Sequence, residues 1–424
     1  MSTVNNATAF PFARPIYVTL KPVGPQCNMH CDYCYYADKA GLYRQEETQT
    51  MSIGLVEEFT RQYISSQTAR QVLFIWHGGE PMLRPLSFYR RAVELQQRYA
   101  AGRHIDNVIQ TNGTLIDDEW CRFLRDHHWL VGISIDGTQA MHDAYRRTRG
   151  GGATWRQVMK AIDRLKHYGV DWNVMATINA CNVTQPEQFY SFIQSVDARY
   201  IQFTPIVERR QDIDMPLASP DDTAAQMTAS SITPSAWGNF LCSLFDLWVR
   251  HDVGHRFVQL FDATLANWCG VEPGLCALSA HCGQAAVMEA NGDVYSCDHF
   301  VFHDYRLGNM RERPLVAMLY GEAQHSFGRR KELALPSCCK KCSFLFACHG
   351  ECPKNRFDVS ADGERGLNYL CEGYKRFFRH VQPFMDYMRS EWRAGRPPAN
   401  VINVAEELLA CTKTGETTMH DVGH

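Results

Sequence analysis

No stretch of this 424-residue chain approaches the ~18 consecutive apolar residues of a membrane-spanning helix, and the apolar segment at 241–249 is interrupted by Asp246. A surplus of charge of either sign is missing too: 43 Lys and Arg stand against 46 Asp and Glu, a net charge of −3. Neither duplex nucleic acid nor an anionic membrane surface is therefore an expected partner. The first 15 residues lack the basic region, apolar stretch and small-residue cleavage site of a secretory signal, so a reducing cytoplasm is the expected compartment. Internal repeats and low-complexity tracts are absent. What is there, 45% hydrophobic and 21% charged residues, is an ordinary globular composition, with length for two or three domains.

Cysteine is the exception. Seventeen cysteines fall short of the ~8–10% typical of disulfide scaffolds, and a reducing compartment would not keep them paired. Metal or cluster ligation is the better reading. Ten lie between Cys269 and Cys371, and Cys27, Cys31 and Cys34 form a separate tight group. Cys121, Cys181, Cys242 and Cys411 are isolated and read as small core hydrophobes.

Apolar, β-branched runs at 16–20, 72–76, 107–110, 130–135, 173–178 and 200–207 read as buried strands. Segments with helical period fall at 52–67, 85–99, 118–128, 155–167, 186–196 and 234–249. Thr154 with Gln157 forms a capping-box pattern, and Val158, Ile162 and Leu165 give the helix that follows one apolar face. Apolar strands alternating with amphipathic helices predict a parallel sheet covered by helices. Six β/α units are too few for a closed eight-fold barrel. The expected fold is α/β, a partial (β/α)6 TIM-type barrel over residues 1–255, with its chemistry at the C-terminal strand ends. The polar segment 208–233 is too long for an ordinary connection and is expected to be substrate-facing or mobile. From 256 onward the period gives way to short turns, Gly and Cys, until a helical run at 372–393. This predicts a small cysteine-rich domain at 256–375, stabilised by ligated metal, then a C-terminal helix and tail at 376–424.

The first cysteine group follows the first strand as Cys27-x3-Cys31-x2-Cys34. Three thiolates on one short loop can hold three irons of a [4Fe–4S] cube and leave the fourth open to a substrate or cofactor. A zinc site would want a fourth ligand, and only His30 is at hand. With the aromatic Tyr33 before the last cysteine, the motif resembles that of the radical S-adenosylmethionine enzymes. The resemblance implies that the open iron chelates S-adenosylmethionine, whose reductive cleavage yields a 5′-deoxyadenosyl radical. It also implies that Gly78, Gly79 and Glu80, in the segment His77-Gly-Gly-Glu-Pro, hold the cofactor's amino group. Ser134, Arg146 and Val207 are implied as further cofactor contacts, and Tyr36 as a residue of the substrate face. Some relatives carry glutamine where this chain has His77, which is expected either to contact substrate or to pack.

The second group comprises Cys276, Cys282 and Cys297, then Cys339-x2-Cys342-x5-Cys348-x3-Cys352, and Cys371. Eight thiolates suffice for two fully ligated [4Fe–4S] clusters. The pattern resembles the SPASM extension of radical S-adenosylmethionine enzymes that modify peptides and proteins. By that resemblance Cys276, Cys282, Cys297 and Cys352 hold one auxiliary cluster, and Cys339, Cys342, Cys348 and Cys371 the other. The implied cofactors are three [4Fe–4S] clusters and S-adenosylmethionine. Cys338 and Cys269 are left over. Two structural zinc sites are the plain alternative.

Asp298 follows Cys297 directly. That pair resembles the anaerobic sulfatase-maturating enzymes, in which such an aspartate acts as general base. The resemblance implies oxidation of a cysteine or serine in an unfolded sulfatase to Cα-formylglycine, within a segment like Cys/Ser-x-Pro-x-Arg, and an electron donor such as flavodoxin or ferredoxin. The rival readings are a SPASM maturase that crosslinks a ribosomal peptide and a zinc-stabilised interaction protein without catalysis.

Overall fold

Six parallel strands repeat the expected pattern: β1 (Tyr17–Leu20), β2 (Gln71–Trp76), β3 (His104–Thr111), β4 (Leu130–Ser134), β5 (Trp172–Ile178) and β6 (Tyr200–Pro205). They come from a computed structural model that describes residues 16–43, 50–212 and 215–415; the leader at 1–15 lies outside the described residues. Helices α1 (Ile53–Ser66), α2 (Leu86–Tyr99), α3 (Asp118–Asp126), α4 (Trp155–Tyr168), α5 (Pro186–Ser195) and α6 (Pro234–His251) connect or follow them. Each starts within a residue of its sequence-based position. Local chemistry explains the starts: Ser52 Oγ accepts from the Leu55 amide at 3.2 Å, and Asp117 Oδ1 from the Trp120 amide at 2.8 Å.

The Thr154 capping box does not form. The Thr154 hydroxyl donates instead to the Arg146 carbonyl at 2.7 Å, and Asp143 Oδ1 accepts the Thr154 and Trp155 amides at 2.9 Å each. A carboxylate eleven residues upstream thus caps α4, which local spacing does not reveal.

Among the described residues ten strands share one sheet. β7 (Phe257–Val258) pairs with β6 at one edge, and at the other β1 pairs in parallel with β8 (Ala285–Met288). Antiparallel strands β9 (Asp293–Tyr295) and β10 (Arg306–Asn309) follow β8. The cysteine-rich region therefore extends the barrel sheet, and its Leu278, Met288 and Val294 join the same buried cluster as Val18 and Leu20. Metal was expected to supply stability there; the shared core supplies part of it. The β1–β8 register, Leu20 opposite Met288, also carries Cys297 and Asp298 to the mouth of the barrel.

Helix α7 (Gln259–Cys269) packs beside the sheet, and the long helix α8 (Cys371–Arg393) crosses α6. That crossing is tight. A Cβ on Gly238 would lie 2.9 Å from the Gly373 Cα, and one on Gly373 would meet the Pro234 carbonyl oxygen. Gly373→Ala is therefore expected to cost about 1–3 kcal/mol as the helices are forced apart. Thermal denaturation of the iron-loaded protein checks this, with a drop in midpoint expected; an unchanged midpoint would show that the crossing yields freely. Segment 208–233 is pinned at several points: Arg209–Arg210 pairs with Gln226–Met227, and the Leu217 amide donates to Asp38 Oδ2 at 3.0 Å.

Candidate active site

The first cysteine loop is braced from two sides. Met29–Cys31 pairs antiparallel with Arg146–Thr148, which sets Cys31 opposite Arg146. The Gly79 amide donates to the Gly24 carbonyl at 2.8 Å and the Glu80 amide to the Gln26 carbonyl at 2.8 Å. A Cβ on Gly79 would run into the Gln26 carbonyl oxygen, so this turn touches the cysteine loop only because the residue is glycine. Burial raises the Cys27 thiol to about 11, and burial raises that of Cys31 to about 12, with Cys34 and Cys27 adding to the rise and Arg146 opposing it. Thiols so crowded favour a bound cation that would hold them as thiolates.

Under this loop lies a charge network that the sequence motifs did not single out. Asp136, fully buried, accepts from Arg146 Nε at 2.9 Å, from the Tyr33 hydroxyl and from the Thr177 amide at 2.9 Å. The Arg146 guanidinium also lies 5.5 Å from the Tyr33 ring centre. Ser134 Oγ accepts from Gln110 Nε2 at 3.0 Å. Glu80 was expected to accept from the cofactor's ammonium. Its oxygens accept from the Met82 amide (2.9 Å), the Thr111 hydroxyl (2.8 Å) and the Asn112 amide (2.8 Å), which braces the turn from within. Burial raises its carboxyl to about 7.

Opposite, Asp298 meets Lys21, a side chain with no exposed surface, whose Nζ sits 2.6 Å from Asp298 Oδ1 and donates to His77 Nδ1 at 3.1 Å. The Tyr35 hydroxyl donates to Asp298 Oδ2 at 2.6 Å. Burial opposes the charge on Asp298, but the Lys21 ammonium outweighs it and holds the carboxyl well below its usual range. Tyr36 was expected at the substrate face. It is buried under the Lys21 ammonium, with its hydroxyl 2.5 Å from both Glu289 carboxylate oxygens, and Tyr35 lines the adjoining hollow in its place. That hollow is also lined by Val207, Glu208, Lys39, His299 and Lys354. Glu208 and Lys354 form an ion pair across it.

Two groups of thiols lie farther along the chain. Burial raises the Cys352 thiol, and Glu351, Cys276, Cys297 and Cys282 raise it further. Cys339, Cys342, Cys348 and Cys371 line a second hollow, which Cys338 also reaches. Among the described residues no three Cys, His, Asp or Glu side chains converge as tightly as a single metal ion requires. The set of Cys339, Cys342, Cys348 and Cys371 surrounds a hollow rather than a point, which suits a multi-iron cluster.

Known proteins fit this geometry. Residues 22–193 match the Radical SAM superfamily, and residues 280–343 an iron-sulfur cluster-binding domain, SPASM. A serine-type anaerobic sulfatase-maturating enzyme of Bacteroides thetaiotaomicron is 53% identical over 403 residues, covering 94% of this chain and 97% of that one. The chain belongs to the anaerobic sulfatase-maturating enzymes. It is a radical S-adenosylmethionine oxidoreductase, and the crosslinking and non-catalytic zinc readings are not favoured. A cysteine-type anaerobic sulfatase-maturating enzyme of Clostridium perfringens is 28% identical over 376 residues, 87% of this chain and 97% of its own. The solved structure of native anSMEcpe with bound AdoMet and Cp18Cys peptide superposes with a TM-score of 0.78 at 28% identity, covering 89% of this chain and all of that one.

For a sulfatase-maturating enzyme, the residues that motif reading missed are Lys21, Tyr35 and Asp136. Two of them had a signal: Lys21 is a charge closing an apolar strand, and Asp136 a charge just past another. Among the described residues no helix is long and apolar enough to cross a membrane.

Proposed function

We propose that the residue oxidised is a serine, held in a short extended segment of an unfolded sulfatase that resembles Cys/Ser-x-Pro-x-Arg, and that the product is Cα-formylglycine. The observation that carries this reading is the place of Asp298. Its carboxylate, 27% exposed, stands next to Cys297 and is gripped by Lys21 and Tyr35 beside the hollow that Tyr35 and His299 line. Serine follows the serine-type relative, whose identity to this chain is nearly twice that of the cysteine-type one.

The thiols fit three [4Fe–4S] clusters. Cys27, Cys31 and Cys34 would hold the first, with S-adenosylmethionine on its open iron. Cys276, Cys282, Cys297 and Cys352 would hold the second, and Cys339, Cys342, Cys348 and Cys371 the third. When bound, these groups supply a one-electron reductant, a hydrogen-atom acceptor and an acceptor for the electron the substrate must lose. The protein does the rest. Oxidising a primary alcohol to an aldehyde removes a hydrogen atom, a proton and an electron, and the proton goes from the serine hydroxyl to an Asp298 oxygen. A depressed proton affinity makes Asp298 fully ionised before each turnover, at the cost of basic strength. Lys21 and Tyr35 fix its direction. The Gly78 and Gly79 backbone would receive the cofactor's amino group, with Glu80 bracing the turn. Ser134, Arg146 and Tyr33 would line the cofactor's site from the opposite wall, and Val207 would pack between cofactor and substrate. The first electron would come from a flavodoxin or ferredoxin.

Two matched sulfatase-motif peptides, one with serine and one with cysteine, test this reading by anaerobic mass spectrometry with iron-loaded protein, reductant and S-adenosylmethionine. The serine peptide is expected to lose two hydrogens and gain an aldehyde. Accumulation of 5′-deoxyadenosine with both peptides intact would contradict it.

A further inference from the structure

The helix Glu322–Leu333 lays one face against the segments that carry Cys276, Cys282 and Cys297. Gln324 Nε2 donates to the Gly283 and Ser296 carbonyls at 3.0 Å each, fastening the residue after Cys282 and the residue before Cys297. One turn on, the Cys282 amide donates to the Gly328 carbonyl at 3.2 Å, and a Cβ on Gly328 would lie 2.6 Å from the Cys282 carbonyl oxygen. Near the end of the helix Lys331 Nζ donates to the Cys276 carbonyl at 2.7 Å and the Ala277 carbonyl at 2.8 Å. Residues 324, 328 and 331 follow the i, i+4, i+7 spacing of one helix face. All three are buried, and Lys331 has no exposed surface.

A neutral donor suffices for this fastening, as Gln324 shows, so the charge on Lys331 has another cause. An ammonium withdrawn from water is costly unless an anion lies near it. Among the described residues its hydrogen-bond partners are those two carbonyls, and neither is charged. Glu351, a buried carboxyl that feels its charge, accepts instead from Asn368 Nδ2 at 2.6 Å and Asn355 Nδ2 at 3.4 Å. Arg356, a second cation nearby, gives its guanidinium to the Gly350, Lys331, His349 and Glu351 carbonyls. The thiols remain. Burial raises both the Cys276 and the Cys282 thiol, and at both Lys331 is the foremost charge opposing the rise. At Cys371, in the other set, burial is opposed by Lys375 instead.

Four thiolates around a [4Fe–4S] core leave a net negative charge, and one-electron reduction makes it more negative. A buried cation beside such a cluster favours the reduced form, and the low local dielectric strengthens its pull. We propose that Lys331 is the counter-charge of the auxiliary cluster held by Cys276, Cys282, Cys297 and Cys352, and that its ammonium raises that cluster's reduction potential, fitting it to take the one electron the substrate must lose. This rests on the cluster assignment given above.

The test is a potentiometric titration of the anaerobic, iron-loaded protein followed by electron paramagnetic resonance, comparing wild type with Lys331→Gln and Lys331→Arg. Lys331→Gln keeps an N–H donor for the two carbonyls and removes the charge, whereas Lys331→Arg keeps the charge. S-adenosylmethionine perturbs the signal of the cluster with an open iron, which sets it apart from the two auxiliary ones. In Lys331→Gln one auxiliary cluster is expected to become about tenfold harder to reduce, a midpoint lower by ~59 mV for one electron, while the other two clusters hold their potentials. Lys331→Arg is expected to keep most of the wild-type value. A midpoint unchanged in Lys331→Gln, lowered as much in Lys331→Arg, or shifted equally in all three clusters would overturn the proposal. If both variants lose one cluster's iron, Lys331 is a packing element and the proposal falls; iron lost from Lys331→Gln alone would show the same dependence on charge at assembly and support it. Wild-type protein holding iron for a single cluster would overturn the cluster assignment itself, and this inference with it.

Discussion

Asp298→Asn is expected to lower formylglycine production by about 10²–10⁴-fold while 5′-deoxyadenosine still forms. Asparagine has the same shape, and its carbonyl oxygen can still accept from Lys21 or Tyr35, so the mouth of the barrel keeps its geometry. What it lacks is an oxygen able to take the hydroxyl proton. The cysteine sets lie outside the substitution, so iron content should be unchanged. Parallel assays of aldehyde and 5′-deoxyadenosine separate the outcomes. If both products fall together, Asp298 supports cofactor binding; if neither falls, it has no part in the oxidation.

The second large effect is structural. Asp136→Ala would strip the partner from Arg146, which is 7% exposed and lies in register with Cys31. Removing one member of a buried ion pair costs about 3–5 kcal/mol, because the surviving charge stays desolvated. The Tyr33 hydroxyl and the Thr177 amide lose their acceptor in the same stroke. A fall in melting temperature of about 3–6 °C is expected, with loss of one cluster's worth of iron as the 27–34 loop loosens. Calorimetry with iron analysis decides it: a full complement of iron and an unchanged melting temperature would show that the loop stands without Asp136.

These two residues show where reading the sequence stopped. Asp298 was legible because it adjoins a cysteine within a recognisable spacing. Asp136 stands in a segment already noticed for Ser134, yet its partners Tyr33, Arg146 and Thr177 are scattered along the chain and meet only through strand pairing. Lys21 was hidden for the same reason: its value depends on β1 lying beside β8, which brings Asp298 within reach. Strands and helices were legible because period and burial agree along each one. The Thr154 cap failed because the Thr154 hydroxyl turned to the Arg146 carbonyl and a carboxylate from upstream, Asp143, took the Thr154 and Trp155 amides. Tyr36 and Tyr35 were exchanged for want of a signal, since neighbouring aromatics after a cysteine differ only in which way the loop turns them. The first cysteine group was legible from spacing and the division of the others came from resemblance; Cys276 and Cys352, far apart in the chain, lie close enough that Cys276 adds to the rise burial gives the Cys352 thiol, and Cys339, Cys342, Cys348 and Cys371 line one hollow.

Hydrogen transfer from a deuterated substrate tests the central claim most directly. A sulfatase-motif peptide with its serine β-carbon fully deuterated is incubated anaerobically with the iron-loaded protein, reductant and S-adenosylmethionine, and both products are analysed by mass spectrometry. The account predicts 5′-deoxyadenosine carrying deuterium and a formylglycine that retains one deuterium on its aldehyde carbon. Deuterium-free 5′-deoxyadenosine beside an unchanged peptide would contradict it.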